Sequence, residues 1–208
     1  MPSQYSRLNW DLSTAYDLFI SQIAIYEPDR VGLRASWAAG VRSRLPVEDR
    51  QVLENFWQLY FLPLHFVFNA PAPKDTAAVL SYLEKMPAEK RLEALTLRYE
   101  TPAEIQELFC GTTSRKKWTA AEKELISSYF AQNHRNLTST MLDQVYNNWA
   151  QREQFGHQFL HALKTFADSF FFEEEHRILP ALRQGLSHAQ MRAGTLPLTA
   201  MLEELSSG

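Results

Sequence analysis

Apolar residues recur along this chain at three- and four-residue steps, and that spacing limits what it can fold into more than any other feature. Leu12, Ala15, Tyr16, Phe19, Ile20 and Ile23 form one such stripe. It has to end near Glu27-Pro28, because the residue before a proline is pushed out of helical geometry. Leu33, Trp37 and Val41 form a shorter second stripe, and Leu53, Phe56, Trp57, Tyr60 and Phe61 a third. The third begins near Pro46, whose fixed φ suits a first helical position, and it stops at Pro63. Glu48 and Asp49 lie where the helix dipole favours negative charge. The aliphatic residues agree, with 27 Leu and 22 Ala against 7 Val and 6 Ile. Leu and Ala lose little rotamer freedom in a helix, whereas β-branched residues favour a pleated strand. There is no strand alternation, no repeat at a fixed period and no low-complexity tract. Without a parallel sheet, the strand–turn–helix units that hold dinucleotides and nucleoside phosphates are excluded.

The middle of the chain predicts shorter helices punctuated by proline. Val79, Leu80, Leu83 and Met86 run up to Pro87, and Leu92 and Leu95 continue to about Arg98. Thr101-Pro102-Ala103-Glu104 and Thr119-Ala120-Ala121-Glu122 have the form of two capping boxes, the first opening a helix that ends at Gly111. Thr112 to Trp118 reads as a loop and is the candidate internal boundary. Leu125, Ile126, Tyr129 and Phe130 start a further helix directly after it. The C-terminal third carries two stripes, one of Met141, Leu142, Val145, Tyr146 and Trp149. The other is Phe155, Phe159, Ala162, Leu163, Phe166 and Phe170, continued by Leu179, Leu182, Leu186 and Ala189. Pro180 removes the bond to the His176 carbonyl and is expected to kink that helix. Gly194 and Pro197 close the run before a last short helix over Leu198 to Leu205. The expectation is a single all-α, bundle-like domain over residues 1–208, with about eight to ten helices and no significant sheet.

At 208 residues, 45% hydrophobic and 12% aromatic, the chain can build a core without disulfides, and its net charge of -3 argues against disorder. Its one cysteine, Cys110, fits a reducing compartment. No apolar run approaches the roughly 18 to 20 residues of a membrane span, and the N-terminus lacks a signal-peptide core. A cytoplasmic protein with no membrane partner is expected, and the Asn136-Leu137-Thr138 sequon is then a chance match. Residues 1–118 hold 14 basic and 14 acidic residues, and residues 119–208 hold 7 and 10. Neither part has the basic excess that phosphate binding uses. Arg115-Lys116-Lys117 and Glu173-Glu174-Glu175 are read as solvated charge runs.

Three constellations are candidates for chemistry. His157 and His161 share a helix face, and His176 lies beyond them in a Glu-x-x-His pair with Glu173, a pattern seen in metal sites. Gln158, however, stands where a zinc protease helix carries its general base, and the second Glu-x-x-His pair of a di-iron bundle is missing. A metal-dependent enzyme using His157, His161 and His176 is therefore the alternative and not the leading reading. Cys110 sits near a helix C-terminus, where the dipole disfavours a thiolate. The third constellation suits a ligand pocket. Trp57 to Phe68 concentrates aromatics around His65, and Leu33 to Arg42 sets two arginines beside a tryptophan. Arg34, Trp37, Arg42, Trp57, Tyr60 and His65 are the candidate lining residues, since aromatic walls with a few polar groups hold small molecules. No catalytic residue and no cofactor is assigned.

The stretches TAYDLFISQIAIYEPDRVGLRASWAAGVRSRLP, LPLHFVFNAPAPKDTAAVLSYL, NNWAQREQFGHQFLHALKTFADSFFFEEEHRILPALRQGL and LPLTAMLEELSSG carry a resemblance. They resemble the N-terminal helical region, of unassigned function, of bacterial ArsR-like transcriptional regulators, with Gly32 to Pro46 the most specific part. In that family the chain continues past the position of Gly208 into a winged-helix DNA-binding domain. The resemblance implies a non-enzymatic regulatory module that senses a small-molecule effector, pairs as a homodimer, or both. It would meet DNA only through a winged-helix part that lies outside these residues. A purely structural interaction domain remains the other alternative.

Overall fold

The computed structural model describes residues 10–111 and 118–206, and among them every regular element is helical. The elements are α1 (Ala15–Tyr26), α2 (Ala35–Arg42), α3 (Val47–Leu59), α4 (Leu64–Asn69), α5 (Thr76–Lys85), α6 (Ala88–Thr96), α7 (Ala103–Cys110), α8 (Ala120–Gln132), α9 (Ser139–Ala150), α10 (Arg152–Phe166), α11 (Phe172–Ala193) and α12 (Leu198–Ser206). A 3-10 turn, Pro28–Val31, joins α1 to α2, and a π turn, Ala167–Phe171, fuses α10 to α11. The fold is the all-α one expected. Its helices outnumber the expectation because short pieces such as the six-residue α4 form their own turns behind a proline.

Proline sets the phrasing. Pro46, Pro63, Pro87 and Pro102 each stand immediately before a helix as its cap residue. Pro46 is thus one position earlier than the first helical residue expected. Pro102 also undoes one of the two capping boxes. With Pro102 as cap residue, Thr101 faces backwards, and its hydroxyl accepts from the Arg98 amide at 2.9 Å. The second box forms, with Thr119 and Glu122 satisfying each other's backbone amides. Asp75 and Thr138 cap α5 and α9 by the same chemistry.

Helix α10 is the axis of the packing, with α6 and α3 laid along it. Phe155, Phe159, Leu163 and Phe166 are buried on its inner face, and Phe56 of α3 meets Phe159 with ring centres 4.3 Å apart. Gly156 lets α6 approach. A Cβ there would lie 2.9 Å from the Ala88 carbonyl carbon and nearer still to its oxygen. Buried Arg91 locks the corner by donating to the carbonyls of Leu83, Glu84 and Gly156 at 3.0, 3.0 and 3.1 Å. One apolar cluster joins residues from Ala15 to Phe171. Of the candidate boundary at 112–118, residues 112–117, with the basic run Arg115-Lys116-Lys117, lie outside the described residues. Trp118 packs on Tyr146 and edge-on to Phe109, with ring centres 5.3 and 6.0 Å apart.

One expectation at the C-terminal end needs correction. Glu173 is exposed and Glu174 pairs with Arg177, but Glu175 is buried, at 8% exposure. Its carboxylate accepts from the Thr14 hydroxyl and from the Thr76 amide, the latter at 2.9 Å, so it sits at the start of both α1 and α5. A charge run read as solvated thus contains one anion placed where two helix dipoles favour it. Helix α11 is continuous through Pro180, and a π turn that the apolar stripe did not foretell precedes it. Phe170 and Phe171 in that turn are both buried, with ring centres 5.5 and 6.3 Å from Phe166. Beyond Glu175, α11 leaves the core. Leu179, Leu182 and Leu186 are only half-buried, and Ala189 is covered by α12 through buried Met201.

Candidate ligand site

Two open grooves of about 600 and 580 Å³ lie side by side and share Leu62 and Asn133. They exist because α3 ends where the sequence leaves a helix. At Tyr60 the backbone turns extended, ahead of Pro63. Tyr60 points inward, with 3% exposure, while Phe61 and Leu62 stay half-exposed between the grooves.

The opposite wall is the end of α8. His134 adopts a left-handed backbone, φ 59°, and the turn is closed by His134 N–H to the Ala131 carbonyl and Arg135 N–H to the Phe130 carbonyl. This is a Schellman closure in which histidine occupies the place glycine usually takes. The turn carries Arg135 onto the last turn of α3. There its Nη1 donates to the carbonyls of Trp57 and Gln58 at 3.1 and 2.8 Å, a cation at the negative end of the helix. The guanidinium lies 5.1 Å from the centre of the Phe61 ring and 5.6 Å from that of Trp57. The turn after α6 fixes Arg98, whose guanidinium lies 4.4 Å from the Phe61 ring centre. Phe61 thus has two cations within cation–π distance. Burial holds the Arg135 guanidinium below its ordinary pKa, and the nearby charges of Arg30 and Arg98 push the same way against Glu27.

His65 borders the second groove. Its Nε2 lies 3.1 Å from the Ala94 carbonyl, which can only accept, so that nitrogen carries the proton. Its Nδ1 is buried and has no hydrogen-bond partner among the described residues. Burial lowers the imidazole pKa, the Ala94 hydrogen bond opposes that, and Arg98 adds to the lowering.

Of the candidate lining residues, Trp57 and His65 reach the grooves, one in each. Tyr60 is buried, tilted against Phe56 and edge-on to Phe155, and its hydroxyl accepts from Asn148 at 3.2 Å. Burial raises that phenol's pKa. The three residues on and beside α2 line neither groove. Arg34 is exposed, Trp37 is 38% exposed with its ring against Phe170, and Arg42 donates to the Ile25 carbonyl at the end of α1. Arg98 and Arg135 carried no signal in the sequence, because each sits in a turn outside any apolar stripe.

The histidine constellation does not assemble. His157, His161 and His176 are all exposed, and among the described residues no group of three or more His, Cys, Asp or Glu is arranged to hold a metal ion. His161 faces buried Asp49 at 3.7 Å, and His176 Nδ1 bonds the carbonyl of Phe172 in its own helix. Cys110 is half-buried, and burial first, then the charge and hydrogen bond of Glu93, raise its thiol pKa. Among the described residues no helix is long and apolar enough to cross a membrane. No protein-family model matches the chain, and neither a curated protein nor a solved structure shows significant similarity to it.

Proposed function

We propose that this chain is a non-enzymatic regulatory module, the effector-sensing part of an ArsR-like transcriptional regulator in the cytoplasm. The observation that carries the reading is the pair of grooves around Phe61, each within the size range of small-molecule sites and each walled by helix ends. The resemblance in sequence supports the attachment to a winged-helix reader. Helix ends are also a workable place for a switch. A ligand seated there touches the end of α3, α3 packs on α10, and α10 continues through the π turn into α11. A ligand that favours one packing of α3 on α10 shifts the population of α11 arrangements, and with it any attached domain.

A second reading, pairing of two copies, is supported by the α11–α12 hairpin. It is held together by Glu204 with Arg192 and His188, and it leaves Leu182 and Leu186 half-exposed and Met191 and Leu202 exposed. Sedimentation over a wide concentration range, with and without hits from a thermal-shift screen of metabolites, tests both. The reading predicts a dimer whose stability changes with a stabilising compound. A chain that stays monomeric at high concentration and that no compound stabilises overturns it.

A further inference from the structure

We propose that the paired grooves bind a small aromatic carboxylate, its charge held by Arg98 and Arg135 and its ring laid against Phe61. The proposal rests on the sensing role above and adds the chemical class of the effector. Three arginines border this place, and among the described residues only Arg30 has a carboxylate partner, Glu27 at 3.1 Å. Glu100 is the other acid at the rim. Among the described residues nothing accepts a hydrogen bond from the Arg98 guanidinium. It lies over the face of Phe61. Arg135 uses Nη1 on two backbone carbonyls, which fixes the plane of its guanidinium, and no described residue accepts from its other two nitrogens. Two guanidinium groups are therefore held close to one aromatic ring, with donors still open. A ring face meets only part of a cation's need, and a carboxylate takes two parallel bonds from a guanidinium.

The walls decide between kinds of anion. The lining is mixed, and beside its polar groups each groove has an apolar or aromatic part, Trp57, Leu62 and Met141 in one and Leu64 and Tyr129 in the other. Inorganic phosphate would meet the arginines and leave those walls wet. A neutral aromatic would cover the walls and leave two half-buried cations unpaired. An aromatic carboxylate does both, and groove volumes near 600 Å³ accept molecules of one to three rings.

Isothermal calorimetry on the whole chain tests this with benzoate, naphthoate and indoleacetate, and with naphthalenemethanol and inorganic phosphate as controls. The expected result is submillimolar binding of at least one carboxylate and no comparable binding of the alcohol or of phosphate. Arg98→Gln, which removes no hydrogen bond within the protein, should weaken the carboxylate about tenfold, the loss of one charge-assisted pair. The proposal is overturned if no carboxylate binds at millimolar concentration, if the alcohol binds as tightly, or if Arg98→Gln binds like the parent chain. The alcohol comparison uses the unaltered protein and so stands whether or not the variant folds. A neutral compound that stabilises the chain while the carboxylates fail removes the anion and leaves the sensing role. A carboxylate that binds through Arg98 without changing sedimentation leaves the site and removes the regulatory role.

Discussion

At Gly156 a single hydrogen decides how closely two helices meet. The Ala88 carbonyl occupies the space a side chain would need, and that obstacle is backbone, which cannot swing aside. Gly156→Ala should cost about 3 kcal/mol, the upper end for forced overpacking, despite the better helix propensity of alanine. Equilibrium denaturation in urea measures it. The opposite sign is expected at His134, where a bulky residue holds a left-handed conformation. His134→Gly should stabilise by about 1 kcal/mol, because glycine adopts that conformation without the Cβ penalty. A loss of stability on that change would mean the imidazole makes a contact that outweighs the strain. His65 gives a pH dependence. Its folded pKa lies below the ordinary value of about 6.5, so the unfolded chain takes up a proton first as pH falls. Stability contributed by this group is full above about pH 6.5, declines as pH drops toward the lowered folded value, and is level below it. His65→Gln, which can still donate to the Ala94 carbonyl, should flatten that decline in denaturation curves taken across the acidic range.

Elements were easier to foresee than the contacts between them. The end of α1, both ends of α3 and α7 and the start of α8 follow from proline, glycine and one capping box, because those signals act within a few residues. The stripe of α10 was equally plain. The π turn was not, because three consecutive phenylalanines look like a continued stripe, and only packing behind Phe166 shows that two of them must point inward. Glu175 was misread for the same reason. Its surroundings in sequence are charged, while its partners Thr14 and Thr76 lie 161 and 99 residues away. The carboxylate ties the first turn of α11 to the starts of α1 and α5. Glu175→Ala leaves a buried hydroxyl and a buried amide without an acceptor and should cost about 3 kcal/mol, whereas Glu175→Gln keeps an acceptor and should cost about 1 kcal/mol. Amide exchange in the first turns of α1 and α5 should speed up in the alanine variant and change little elsewhere. Uniform acceleration would show that Glu175 stabilises the molecule without acting at those helix ends.

For the whole molecule, the question is whether the residues before and after 112–117 fold as one body. The aromatic core argues that they do. Phe109 of α7 stacks on Trp149 of α9 with ring centres 4.3 Å apart, and Phe56 of α3 meets Phe159 of α10 at the same distance. Buried Arg152 reaches back to the Cys110 carbonyl at 3.3 Å, and Arg135 reaches back to α3. Neither part can shed its partner without exposing phenylalanine and leaving carbonyls unmatched, so partial unfolding costs nearly as much as complete unfolding. Trp57 and Trp149 report from the two sides, being 8% and 1% exposed. Denaturant unfolding followed by tryptophan fluorescence should give the same midpoint in Trp57→Phe as in Trp149→Phe, once each variant's own loss of stability is subtracted. Far-UV circular dichroism should follow the same curve, apart from a small early loss from the later part of α11 and from α12, which stand outside that core. Two separated midpoints would make the chain two folding units. The path from the grooves through α3 and α10 to α11 lies across both, so coupling by shared packing would then have to give way to a ligand effect confined to one of them.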